Sequence, residues 1–370
     1  MTIDIQKKWE EYTARTISEF TPLLAKLGYE LDTEQPHIIG ERSLTRPIKS
    51  GSKLVLLGKR KSKETKVIIK IGTDEGGIHE IEQERERRVA LALLPFAYDV
   101  FRMPKELLFT KSQNGVIAIT EYIEQEIPFI KQPLKKQFSV ALDAFKAQEN
   151  INASTYEHHK LIHGTFEEMN AKKYLNTAEQ YVNEIKQALS QKDSHAEHFT
   201  NTLDNALDFI NTHQKTIEQY CDFLTHWDFT PQNFRIRDDT LYILDNASFR
   251  FGNKYEGWAR FINFMVLYNP SLAEALITYV KLNRAPEELM SLKLMRIYRF
   301  TELVRYYVNW LQKTNGNLHL LAIARITFWI NVLENVLNDT DIPTEIIEEY
   351  KKTRDTLRST DEKKRQQTLH

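Results

Sequence analysis

The 370-residue chain reads as an α+β protein in two unequal parts, a small antiparallel sheet followed by a large, mainly helical body. Three observations carry this reading. Short β-prone runs cluster between His37 and Ile123, each closed by turn residues. Residues 132–222 and 258–340 carry apolar side chains at helical spacing, and the first of these stretches has almost no glycine or proline. Between them, Cys221 to Gly252 departs from both patterns: an apolar run, a polar loop through Pro231, then two short apolar runs around a charged turn.

Composition narrows the function classes. The formal net charge is -1, so no global field favours nucleic acid or an anionic membrane. One cysteine, Cys221, excludes an internal disulfide framework and gives no support to a cysteine-rich zinc site. The start is charged and periodic, without an apolar leader, and no later run approaches the roughly 20 apolar residues of a membrane span. A cytoplasmic protein with no membrane partner is expected. The 12 glycines form neither a Gly-x-Gly-x-x-Gly fingerprint nor a Gly-x-x-x-x-Gly-Lys phosphate loop.

In chain order, Ile5, Trp9, Tyr12, Ile17, Phe20, Leu23, Leu24 and Leu27 lie near helical period and stop at Gly28, predicting an N-terminal helix or helix pair. Ile38-Ile39, Lys53 to Leu57 and Lys66 to Ile71 predict three antiparallel strands, with a basic hairpin tip at 59–63. Lys70 sits within the apolar third run, where a lysine is costly unless paired or at a site. Ile78 to Leu94 is helical in period and rich in glutamate. Glu86 stands three residues before Val89 and seven before Leu93, on their face. Gln113-Asn114-Gly115 marks a hairpin between Leu107–Thr110 and Val116–Ile123. His158, His159 and His163 lie at near-helical spacing, as do His195 and His198, but no carboxylates accompany them in a catalytic frame, so solvated helix faces account for them.

The central segment carries chemistry. Asp228 is followed five positions later by Asn233, and Asp245 closes the second run of the hairpin. An aspartate and an asparagine on one tight loop, with a further aspartate delivered nearby, suit metal-assisted phosphoryl transfer. His226-x-Asp228-x-x-x-x-Asn233, followed by Ile243-Leu244-Asp245, resembles the catalytic and metal-binding segments of the aminoglycoside phosphotransferase and choline kinase group, small-molecule kinases with a protein-kinase-like fold.

The resemblance implies a bilobal protein-kinase-like architecture. The expected division is a helical extension at 1–30, a sheet lobe at 31–127, a helical lobe at 128–340 with its catalytic loop at 224–246, and an exposed charged tail at 341–370. It implies an ATP-dependent phosphotransferase, with GTP as a possible co-substrate, acting on a hydroxyl of a small molecule. Asp228 would be the base, Asn233 and Asp245 would hold Mg²⁺, and His226 would brace the loop against the metal-binding segment. Lys70 would contact the α- and β-phosphates with Glu86 as its partner, Glu82 and Glu84 being the rivals. Ser50 and Gly51 stand where a glycine-rich loop would cover the phosphates. Backbone groups near Glu121 and Ile123 would meet the adenine edge at the hinge.

Three features depart from the group's pattern. The phosphate loop is poor in glycine, Trp227 fills a place usually held by a small residue, and the Asp-Leu-Ala element after Asp245 is absent, with Glu256 nearest to its role. These departures leave open a nucleotide-binding pseudokinase acting as a regulatory or interaction module. Between Ser291 and Ile330, Lys293, Arg296, Arg299, Arg305, Lys313 and Arg325 stand against Glu302 alone. That excess points to a neutral or anionic acceptor, with solvated helix faces as the plainer account. The aromatic residues of 258–340 are read as helical core rather than as a cage for a quaternary ammonium.

Overall fold

The computed structural model describes residues 2–33, 35, 53–93, 101–150, 164–189, 196–360 and 362–363. The predicted strand at Ile38-Ile39 and the loop residues Ser50 and Gly51 lie outside them. The chain opens with helix α1 (Thr2–Lys26), then strands β1 (Tyr29–Leu31), β2 (Leu54–Arg60) and β3 (Thr65–Gly72). Helix α2 (Glu75–Ala92), strand β4 (Phe101–Arg102) and the hairpin β5 (Glu106–Ser112) to β6 (Gly115–Glu121) follow. One antiparallel sheet of order β1-β2-β3-β6-β5 forms the first lobe.

Strand alternation sorts the faces of this sheet. Val67, Ile69 and Ile71 point to one side, where Trp9, Tyr12, Phe20 and Leu24 of α1 complete a core. Lys70, one residue out of phase, points to the other side, where Ile81 of α2 packs on Val116 and Ala118. At the β5–β6 turn, Gly115 has φ 143°, and a Cβ there would lie 2.2 Å from the Gly72 carbonyl oxygen. Only glycine fits that turn.

The second lobe begins with α3 (Leu134–Glu149), α4 (Ala171–Leu189), α5 (Ala196–Thr212) and α6 (Gln214–Gln219). Four short strands interrupt the helices: β7 (Phe223–His226), β8 (Phe234–Arg237), β9 (Thr240–Ile243) and β10 (Phe249–Gly252). Helices α7 (Glu256–Tyr268), α8 (Pro270–Asn283), α9 (Pro286–Leu311), α10 (Gly316–Leu337) and α11 (Thr344–Leu357) complete the lobe. One continuous core runs through it, with Phe145 stacked on Trp258 at 4.3 Å between ring centres.

The structure corrects two expectations here. Helix α10 is long and apolar enough to cross a membrane by length and composition, although the sequence reading found no such run. It packs on α9 and α11, and 56% of its most apolar window is buried, the pattern of a core helix. The charged segment after Asp341 is not simply an exposed tail. Its helix α11 buries Ile347 and Tyr350, one turn apart, against the second lobe. The two-residue strand β4, which sequence patterning did not reveal, joins the lobes by pairing parallel to β9.

Candidate active site

Strands β7 and β10 pair antiparallel with Phe249 opposite His226, and this ladder fixes where the loop after β7 begins. The loop is tied down at both ends. The Trp227 N–H donates to the Ser248 carbonyl (2.9 Å), and the Leu244 N–H donates to the Asn233 carbonyl (2.8 Å). The β8–β9 hairpin turns through Asp238 and Asp239 with φ 51° and 60°, the left-handed pair of a two-residue type I′ turn. The Ile236 N–H donates to Gln125 Oε1 (2.9 Å), joining the hairpin to the segment between the lobes.

These constraints bring Asp228, Asn233, His226 and Asp245 together. Asp228 Oδ1 accepts from Arg260 Nε at 2.8 Å, and Oδ2 accepts from Asn233 Nδ2 at 2.9 Å. Burial alone would raise the Asp228 carboxyl, but the Arg260 guanidinium, with Arg299 and His226 behind it, holds it below its ordinary value. His226 is fully buried, and that burial pushes its imidazole below its ordinary value against the pull of Asp245 and Asp228. Its Nε2–H donates to the Asp245 carbonyl (2.8 Å), while Nδ1 has no hydrogen-bond partner. His226 therefore ties the end of β7 to the Asp245 backbone. Asp245 Oδ2 accepts from Ser248 Oγ at 2.8 Å.

From the first lobe, Lys70 donates to Glu84 of α2, and Lys53, just before β2, donates to the same carboxylate at 3.3 Å and to Glu80 at 2.9 Å. Burial would raise Glu84, yet the two ammonium groups hold it down to about 2, so it stays ionised. Asp245 is close enough to act electrostatically on both lysines. The partner of Lys70 is thus Glu84 and not Glu86. Glu86 is exposed, as are Val89 (52%) and Leu93 (61%), the residues whose face it shares. The buried face of α2 carries Ile81, Glu84, Arg87 and Ala90, and Arg87 donates to the Ala247 carbonyl beside Asp245. Sequence reasoning missed Lys53, whose signal is a lysine opening an apolar strand directly after Gly51-Ser52.

No family model and no curated protein matches this sequence. Solved structures do match. A thermostable mutant of aminoglycoside phosphotransferase APH(4)-Ia superposes with a TM-score of 0.58 at 10% identity, covering 86% of this chain and 97% of that one. This chain has the aminoglycoside phosphotransferase fold. A macrolide 2'-phosphotransferase type I follows with a TM-score of 0.56 at 13% identity, over 84% of this chain and 96% of its own. The GDP complex of aminoglycoside 2'-phosphotransferase-IIIa gives 0.56 at 11% identity, over 89% and 98%.

The Glu121 N–H is bonded to the Lys105 carbonyl (3.0 Å), and its side chain accepts from the Lys105 N–H (2.9 Å). Glu121 is thereby committed to the backbone of Lys105, just before β5. Ile123 buries its side chain, and its backbone makes no hydrogen bond to other described residues. In place of the Asp-Leu-Ala element, Glu256 is fully buried, accepting from Arg250 and from the Tyr174 hydroxyl (2.8 Å), while the Gly257 N–H donates to Thr225 Oγ1 (3.1 Å). The Arg250 and Arg299 guanidiniums lie 5.6 and 5.4 Å from the centre of the Trp227 ring. With Asp228 and Arg260 it borders a cavity of about 370 Å³ that extends between α7, α9, α10 and α11.

Proposed function

We propose that the protein transfers the terminal phosphoryl group of ATP, or of GTP, to a hydroxyl of a small molecule. The observation that carries this reading is Asp228, a carboxylate fixed by Arg260 and Asn233 at the border of a cavity of about 370 Å³. Each Asp228 oxygen spends one lone pair on these contacts and keeps another for an acceptor hydroxyl. In the transfer, the acceptor oxygen–phosphorus bond forms and the bond from the terminal phosphorus to the bridging oxygen breaks. The hydroxyl proton passes to Asp228, and the nucleoside diphosphate leaves. Because bond-breaking leads in such reactions, a base of lowered pKa serves mainly to aim the hydroxyl and to take its proton late. Lys70, and Lys53 beside it, would meet the phosphates, with Glu84 setting the lysine position. The backbone at Ile123 would meet the purine edge.

Mg²⁺ fits the donors present. Among the described residues no three His, Cys, Asp or Glu side chains converge as a metal cage. Mg²⁺ typically needs only one or two protein oxygens beside phosphates and water. Asn233 directs its Nδ2 to Asp228 and leaves Oδ1 for a cation, and Asp245 keeps Oδ1 after accepting from Ser248. Bound there, the ion would neutralise charge on the transferring phosphate. A reaction drawing on ATP belongs in the cytoplasm.

Purified protein assayed for release of ADP or GDP against a panel of hydroxyl compounds tests the reading. Asp228→Asn is expected to lower kcat by on the order of 10²–10⁴, with the Mg²⁺-nucleotide thermal shift retained. Asp245→Ala is expected to lose that shift. Full rate in Asp228→Asn removes this residue from the chemistry. Nucleotide binding without transfer to any acceptor would instead support a nucleotide-binding regulatory module.

A further inference from the structure

The cavity beside Asp228 has a charge and a surface that select its occupant. Five arginines line it, Arg260, Arg299, Arg305, Arg325 and Arg358, against three carboxylates, Asp228, Glu302 and Glu362. Arg299 and Arg325 are 5% and 4% exposed. A guanidinium stays charged when buried, so these residues keep a positive potential in a space of low polarisability. Arg260 is engaged by Asp228, Arg299 faces Glu302 at 2.6 Å and the buried Glu256 at 3.7 Å, Arg305 meets Glu184 from outside the cavity, and Arg325 is hydrogen-bonded to the Tyr350 side chain. Arg325 lies over the rings of Tyr307 and Trp310, 5.0 Å from each. Burial, and then Arg325 beside it, pushes the Arg358 guanidinium below its ordinary value.

The walls between these charges are flat and aromatic: Trp227, Tyr306, Tyr307, Trp310 and Trp329. Arg299 Nε and Trp310 Nε1 are buried and make no hydrogen bond. A polycation entering this cavity would add charge of the sign already in excess, and would find few carboxylates to meet it. An anion would lower the energy of the arginines it meets, and planar forks suit carboxylate and phosphate oxygens.

We propose that the acceptor is an anion: a hydroxyl compound with a flat, apolar body and a carboxylate or phosphate group, its hydroxyl at Asp228 and its charged end on the Arg299 and Arg325 side of the cavity. The inference rests on the phosphotransferase reading for the place of the hydroxyl. The preference for negative charge is a property of the cavity itself.

Four probes of one size separate the outcomes: 4-(hydroxymethyl)benzoate, 4-(hydroxymethyl)phenyl phosphate, the methyl ester of the benzoate, and 4-(aminomethyl)benzyl alcohol. Their binding to the full chain is measured by titration calorimetry, with and without Mg²⁺ and a non-hydrolysable ATP analogue. At least one anion is expected to bind about tenfold or more tighter than the ester and the amine, as one charge-assisted contact supplies. The better of the two anions identifies the group. Arg325→Gln should bring the ratio close to one while the nucleotide affinity holds. Arg305→Gln, at a half-exposed position that folding tolerates more readily, should reduce it in the same direction. Equal or tighter binding of the amine overturns the proposal, as does a ratio unmoved by both variants or no binding of any probe. Absence of nucleotide binding alongside an intact anion preference would instead sink the phosphotransferase reading alone.

Discussion

Replacing Glu84 with glutamine removes one carboxylate and leaves the ammonium groups of Lys53 and Lys70 close together in a largely buried space. The fall of the Glu84 value from 4.5 to about 2 corresponds to ~3 kcal/mol in favour of the charged form in the folded protein. Removing one partner of a buried ion pair costs ~3–5 kcal/mol, because the remaining charge stays desolvated. Both figures point the same way. Urea unfolding followed by circular dichroism should show the Glu84→Gln midpoint lowered by about 1 M or more, at a slope of ~3 kcal/mol/M. Glu86→Gln, at an exposed site, should stay within ~0.5 kcal/mol of the wild type. Adding Lys53→Met to Glu84→Gln removes one of the unpaired ammonium groups and should recover part of the loss. The pH dependence has a definite sign. A depressed carboxylate contributes stability that is fully present above its unfolded value, so the Glu84 contribution holds above about pH 5 and is lost as pH falls toward 2. A Glu84→Gln variant as stable as the wild type, or a Glu86→Gln variant as damaged, would refute the pairing.

Further predictions follow from the same contacts. Arg260→Ala removes what holds the Asp228 carboxyl below 3.8, leaving the burial that raises it, so the acid limb of kcat/KM should move to higher pH. An unmoved limb would mean that Arg260 does not set the ionisation of Asp228. Asp239→Gly relieves a left-handed backbone at the β8–β9 turn, worth ~1 kcal/mol, and gives up only a surface ion pair with Lys136. A small rise in melting temperature is expected, and a fall would show that the Lys136 contact anchors the hairpin. Burial pushes the Cys221 thiol far above its ordinary value, so an aromatic disulfide reagent should label the native protein no faster than it unfolds.

How much was legible in advance depended on how the relevant residues are spread along the chain. Asp228, Asn233 and Asp245 lie within one segment whose turn residues announce its folding, so spacing alone suggested their meeting. Lys70 was legible for a different reason: a lysine in the middle of an apolar strand asks for a partner. Glu84 was not. Helix period locates a buried face by its apolar residues, and the apolar Val89 on α2 and Leu93 at its C-cap are exposed while Glu84 and Arg87 turn inward. Those two bury because another element answers them, Lys70 and Lys53 in one case and the Ala247 carbonyl in the other. A pattern internal to one helix contains no record of such answers.

The same reasoning governs the cavity. The basic excess of the late helices was visible in the sequence, with solvated faces as its plainer account, because charged residues usually lie outside. In the fold, Arg296, Arg299 and Arg325 are buried, and the segment expected to be an exposed charged tail contributes Tyr350, Arg358 and Glu362 to the cavity wall. The sign of the charge was therefore readable, while its location was not. Location decides the chemistry. On a solvated helix face an arginine is screened within about 10 Å and selects almost nothing. Sunk beside Asp228 among aromatic rings, the same side chain is screened weakly, and in the proposed reaction it would set which molecules present a hydroxyl to Asp228.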